Sequence, residues 1–304
     1  MLLRNASYSK HFPIALNGSP PAPGRRAICI PPDIQYICIP EQKQMQMLIL
    51  IAESKTMSPC RGEVNAADFA ARHPIYEERA HSIMTELREL DAAELTGATR
   101  LSTVMALRLR SMALSFADKS TGSDAIEAFT GVVFKAFSYP TLPSEAKGRA
   151  RGCIRIISSL YGWLRPDDII KPYRLDFGMH LPVDSSTLAS YWRDAVTDAL
   201  LGYLKENACS SILDLLPADA ARCIDWRRVA SVAKVYKADF REIQSGEKVR
   251  TPHAGRLKVL RGQLLRQIMT ENIMAPEQLE HLSSEDYMAG AADDNGNIIF
   301  HTAR

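Results

Sequence analysis

The run MLILIA, Met47 to Ala52, constrains this chain more than any other feature. It has no polar alternation and so no face to give to water, which suits a strand covered on both sides in the middle of a sheet. It is also the longest candidate for an apolar span, and it falls far short of the roughly 20 residues a membrane helix needs. The loop that follows, ESKTMSP, emerges at the strand's carboxyl end, where open α/β sheets place their ligands.

Helical and extended patterns interleave after it. Asn65 to Leu114 carries apolar residues at three-to-four spacing (Ile83, Met84, Leu87, Leu90, Leu95, Val104, Met105, Leu107), which predicts two or three helices. Within it Gly97 and Thr99 suggest a turn between helices, followed by Arg100, Arg108 and Arg110, the logic of a helix-hairpin-helix that offers backbone N–H groups to phosphate. A plain bundle helix with solvated arginines accounts for the same letters. Ile126 to Phe137 predicts a short strand after a turn at Gly131, and Arg149 to Leu164 a basic helix. TLASYWRDAVTDALLGYLKEN predicts an amphipathic helix. SSILDLL and RRVASVAKVYKADF predict two strands, or one strand and an ambiguous segment. HAGRLKVLRGQLLRQIMTEN predicts a helix whose polar side is basic: Arg256, Lys258, Arg261 and Arg266. DDNGNIIF predicts a hairpin turn into a strand. The fold class is therefore mixed α/β: a single domain over residues 45 to 304, with a central mixed sheet and surrounding helices.

Residues 1 to 44 read as a proline-rich extension, poorly ordered and lacking a secretory leader, which makes cytoplasm the expected location. The formal charge of +2 over 304 residues is near neutral, so nothing global advertises nucleic acid or an acidic partner, and any such site rests on local clustering. The six cysteines form no C-x-x-C pair and read as reduced, mostly buried thiols, with Cys60 the most accessible. The scattered histidines and the DDNGN segment, which lacks a closing glutamate, suggest no metal and no cofactor.

The chemistry concentrates in SLYGWLRPDDIIKPYRLDFG, Ser159 to Gly178. Pro166 and Pro172 bias Arg165 and Lys171 toward extended backbone, giving a rigid loop that presents Arg165, Lys171 and Arg174 to a phosphate or carboxylate. Tyr161, Trp163 and Tyr173 offer faces on which a base can stack. An Arg–Asp lattice anchoring a loop explains the same composition.

These residues also carry a resemblance. LYG at Leu160, LRP at Leu164, Asp168, KPYRL from Lys171 and Gly178 resemble the hallmark of the YaaA family of bacterial cytoplasmic proteins associated with peroxide stress. LILIAESKT with Lys55, AFTG at Ala128, Tyr191-Trp192, Lys258 with Arg261-Gly262, and SSEDY follow in order, so the likeness spans about Met47 to Phe300. It implies one mixed α/β domain with a helix-hairpin-helix-like element and a basic cleft that binds DNA, in proteins that limit free iron during peroxide challenge. Lys55, Arg165, Lys171, Tyr173, Arg174, Lys258 and Arg261 would form that cleft. The chain departs from the family pattern where Glu53 adds an acid, and where Val132, Phe134 and Ala220 replace polar residues.

DNA is accordingly the first expected ligand. The alternative is an enzyme acting on a small phosphorylated or nucleoside-like molecule, with Asp176, Asp219 or Glu53 as acid or base. A structural or protein-interaction role is the third reading. No membrane is expected as a partner.

Overall fold

The computed structural model describes residues 47–60, 62–118, 121–180, 186–243, 249–293 and 295–302. The expectations for residues 1 to 44 lie outside them. Strand β1 (Met47–Ala52) is fully buried as far as Ile51, as its unbroken apolar run requires. Helices α1 (Ala66–Ala71), α2 (Glu77–Glu89), α3 (Ala92–Thr99) and α4 (Thr103–Leu114) follow it. Four helices thus occupy the segment expected to hold two or three. Asp91 and Glu94 form a capping box at the start of α3, tying up N–H groups the helix cannot satisfy itself. Gly97 lies inside α3, not in a turn, and the chain reverses through Arg100 to Ser102 with Arg100 in the left-handed region at φ 56°. A glycine turn of the expected helix-hairpin-helix kind is therefore absent there.

Strand β2 (Ser123–Asp124) and helices α5 (Ala125–Ala128), α6 (Val132–Phe137) and α7 (Ser144–Cys153) come next. The strand expected after Gly131 is instead α6, with Phe134 and Phe137, one turn apart, turned into the core. The basic helix expected over 149–164 ends at Cys153. Its remainder forms β3 (Ile154–Ser158) and β4 (Gly162–Leu164), because the branched run IRIIS pairs with β1 on one side and β4 on the other. The β3–β4 reversal needs Gly162: its φ is +69°, and a Cβ there would sit 2.5 Å from the Trp192 ring.

Strand β5 (Ile169–Ile170) pairs with β2, and helix α8 (Leu188–Glu206) forms as expected. SSILDLL yields β6 (Ser211–Asp214), while the ambiguous segment resolves into α9 (Trp226–Ala230) and β7 (Lys234–Ile243). Strand β8 (Val249–Arg250), helix α10 (Ala254–Glu271), helix α11 (Pro276–Leu279), β9 (Tyr287–Ala292) and β10 (Asn297–Thr302) complete the chain. The expected hairpin turn is present, with Gly296 at φ +80° between β9 and β10.

The main sheet has eight strands in the order β4-β3-β1-β6-β7-β10-β9, with β8 paired to β7. Its centre, β3 through β10, is parallel, and β4, β9 and β8 are antiparallel. The single mixed α/β domain is as expected. Helix α10 packs on α6 through Gly262, where a Cβ would meet the Val133 carbonyl at 2.4 Å. Its basic residues do not form one solvated side: Arg256 bonds Asp286, Arg266 donates to the carbonyls of Phe137 and Ser138, Arg261 is half-buried, and Lys258 is exposed. Cys153, Cys209 and Cys223 are buried, and Cys60 is half-buried. No described helix is long and apolar enough to cross a membrane.

Candidate functional site

The chain leaves β1 for β3 on one side and returns to β6 on the other, so the carboxyl ends of β1 and β6 flank a switch point. In open α/β sheets the connecting segments part there and leave a crevice. Glu53, Ser54 and Lys55 extend from β1, Ser158 and Ser159 from β3, and Asp214 and Asp219 from β6.

Glu53 is the centre of a hydrogen-bond network assembled from segments about a hundred residues apart. Its Oε1 accepts from Ser159 Oγ at 2.6 Å, and its Oε2 from Ser159 N at 2.8 Å and from the Tyr173 hydroxyl. Tyr173 also meets Ser158 Oγ at 2.7 Å, and that oxygen already accepts from the N–H groups of Leu160 (3.2 Å) and Tyr161 (2.9 Å). With its lone pairs occupied, Ser158 directs its own proton to Tyr173, and Tyr173 directs its proton to Glu53. The chain of donors therefore ends on the carboxylate. Among the described residues no cation bonds Glu53; burial pushes its pKa up to about 7, against the opposing pull of Ser159, Tyr173 and Ser158. Burial and the Glu53 charge together push the Tyr173 phenol well above its ordinary range. Trp192 Nε1 fixes the Ser159 carbonyl at 2.8 Å.

The segment from Tyr173 to Gly178 is tied to the residues that follow β1. Arg174 Nη1 donates to the Lys55 carbonyl, and the Lys55 ammonium pairs with Asp176. Burial acts to raise the Asp176 carboxyl, but Lys55, the Gly178 N–H and Arg174 outweigh it and hold the group below its usual range. Ser54 Oγ accepts from Gly131 N at 2.8 Å, an approach that a Cβ on Gly131 would block at 2.6 Å.

Arg261 enters from α10. Among the described residues it makes no hydrogen bond or ion pair, although burial lowers its pKa, with Asp214 and Asp219 partly offsetting that effect. Asp214 is buried and pushed up by that burial, while Leu216 N donates to it at 2.9 Å and Lys237 and Arg261 pull it back. Asp219 caps the short 3-10 turn Ala220–Cys223, and its charge reaches both Cys223 and Arg261, as that of Glu53 reaches Cys223.

The structure thus brings together Glu53, Lys55, Tyr173, Arg174 and Asp176, and sets Asp219 beside Arg261. It places two other expected site residues elsewhere. Leu164 pairs with Ile156, so Arg165 sits level with Arg155, about 13 Å along the sheet from Ser159. There its Nε donates to Asp168 Oδ1 at 2.7 Å and its N–H to Oδ2 at 2.7 Å, closing a turn whose carbonyls receive Ala125 N and Ile126 N. Burial pushes Asp168 up to about 6, and Arg165 opposes that shift. Lys171 is buried, with its Nζ donating to the Phe116 carbonyl at 2.7 Å. Ser158, Ser159 and Asp214 were missed from the sequence, since nothing marks a strand-end serine until its neighbours across the sheet are known.

A sequence model of the family described as "Peroxide stress protein YaaA" matches residues 47–292. A UPF0246 protein of Bacteroides thetaiotaomicron is 30% identical over 258 residues, covering 84% of this chain and 98% of that protein. One from Francisella tularensis subsp. novicida is 26% identical over 261 residues, covering 84% and 100%. A third, from Parabacteroides distasonis, is 27% identical and covers 79% and 93%. Together with the hallmark residues, these matches establish that the chain belongs to the YaaA family of peroxide stress proteins, whose relatives here carry the name UPF0246.

Proposed function

We propose that this chain serves the peroxide-stress response named for its family by holding a phosphate-bearing molecule at the carboxyl ends of β1 and β6. The observation that carries this reading is Arg261, a half-buried guanidinium with no hydrogen bond to any described residue. Its charge is faced by Asp214 and Asp219, and its guanidinium N–H groups, unpaired among the described residues, are left to donate to a bound anion. A small phosphorylated or nucleoside-like molecule suits the geometry best. Two of the cations expected to line the basic cleft, Arg165 and Lys171, bond within the protein. Glu53, with its pKa near 7, is suited to move a proton to or from such a molecule.

A second reading takes DNA as the ligand, with limitation of free iron as its downstream benefit. The exposed Lys258 on α10 and the exposed Arg108 on α4 favour it. The deciding experiment measures binding of a labelled nucleoside monophosphate, and of duplex and single-stranded DNA, to wild type, Arg261→Ala and Lys258→Ala across a salt series. Nucleotide binding weakened about 10-fold or more by Arg261→Ala alone supports the first reading. DNA binding with a steep salt slope, weakened by Lys258→Ala and untouched by Arg261→Ala, replaces it with the second.

A further inference from the structure

We propose that Asp176 is an internal stand-in for the ligand's anionic group, occupying Lys55 until a phosphate displaces it. The proposal rests on the reading that this end of the sheet binds phosphate, and it adds a residue that sets which anions are accepted.

Lys55 and Asp176 meet from segments 121 residues apart, one following the central strand and the other in the segment from Tyr173 to Gly178. The Lys55 backbone and the Asp176 carboxylate are each held by a contact other than the pair itself. The Arg174 guanidinium holds the Lys55 backbone carbonyl, and the Gly178 N–H fixes Asp176 Oδ1 at 3.0 Å, leaving Oδ2 for the ammonium. The pair remains accessible, with the Lys55 side chain 57% and the Asp176 side chain 28% exposed. An ion pair that exposed contributes little to folding, so it is exchangeable. The Arg165–Asp168 pair is the opposite case: its carboxylate is 1% exposed and bonded to both the side chain and the backbone of Arg165.

A carboxylate and a phosphate offer a lysine the same kind of oxygen, but a phosphate dianion carries more charge and has oxygens left for a second cation. Displacing Asp176 therefore selects for ligands that bring at least two negative charges, and it disfavours monocarboxylates. The cost of displacement is built into the apparent affinity.

The test is calorimetric titration of wild type, Asp176→Asn, Lys55→Met and the double variant with inorganic phosphate and pyrophosphate, with acetate as a control. Asparagine retains the oxygen that accepts from Gly178, and Asp176→Ser serves if that variant does not fold. Removing the competitor and its charge should tighten phosphate binding by about 3- to 10-fold, and Lys55→Met should abolish the gain. Phosphate binding by Asp176→Asn that is equal to or weaker than wild type overturns the proposal while leaving the phosphate site intact. Failure of every variant to bind phosphate or pyrophosphate overturns the phosphate reading itself.

Discussion

Asp168 and Glu53 are both carboxylates pushed up by burial, and both are held by the stretch from Ser159 to Gly178, yet they are held in different ways. Asp168 bonds to Arg165, three residues before it, and closes a turn that also anchors the start of α5. Glu53 follows another strand, β1, and among the described residues is held by neutral donors, the groups of Ser159 and Tyr173. A buried acid bonded by a cation makes architecture. One bonded by hydroxyls and an N–H drawn from distant segments gathers those segments around it, with its pKa pushed up to about 7. Place along the strands separates the roles: the turn from Arg165 to Asp168 lies toward the amino end of β3, while Ser159 and Tyr173 meet Glu53 at the carboxyl ends.

The largest expected effect bears on the architectural half. Asp168→Ala leaves a half-buried backbone N–H and a guanidinium without their acceptor and should cost about 3 kcal/mol, read by urea denaturation. A loss below about 1 kcal/mol would break the contrast.

Next comes the pH dependence of stability. The folded-state pKa of Glu53, about 7, lies above its ordinary 4.5, so folded protein binds that proton more tightly than unfolded chain. Its contribution is complete below pH 4.5 and is lost as pH rises through 7, on the order of 3 kcal/mol. Asp168, raised from 3.8 to about 6, acts in the same direction over a lower window. Glu53→Gln should therefore flatten the fall in stability between pH 5 and 8 and leave the part below pH 6 that belongs to Asp168. A wild-type curve that is flat over this range would contradict the placement of Glu53.

How much of this was legible in the sequence follows from what kind of information each part needed. The apolar run of β1, the periodicity of α8 and α10, and the Asn-Gly turn before β10 are local patterns and are present as expected. β3 was hidden because Arg155 sits within it beside a true helix, and the pairing that makes IRIIS a strand comes from β1 and β4. α6 was misread because two valines suggest a strand, whereas Gly131 and the approach of α10 at Gly262 favour a helix. At the site, Glu53, Lys55, Tyr173, Arg174 and Asp176 were each visible, but their grouping is tertiary. The fate of Lys171 was not visible at all, because a lysine bonded to the Phe116 carbonyl has the same spelling as one facing solvent.

The most direct test of the division is to compare Arg165→Ala with Arg174→Ala for binding a labelled nucleoside monophosphate, with folding verified by thermal melts. The account predicts that Arg174→Ala, which releases Lys55, weakens binding by about 5-fold or more, as expected for losing a charge-assisted contact. Arg165→Ala should leave binding within about 2-fold of wild type. Equal weakening by both would contradict it and restore the stretch as one continuous basic wall.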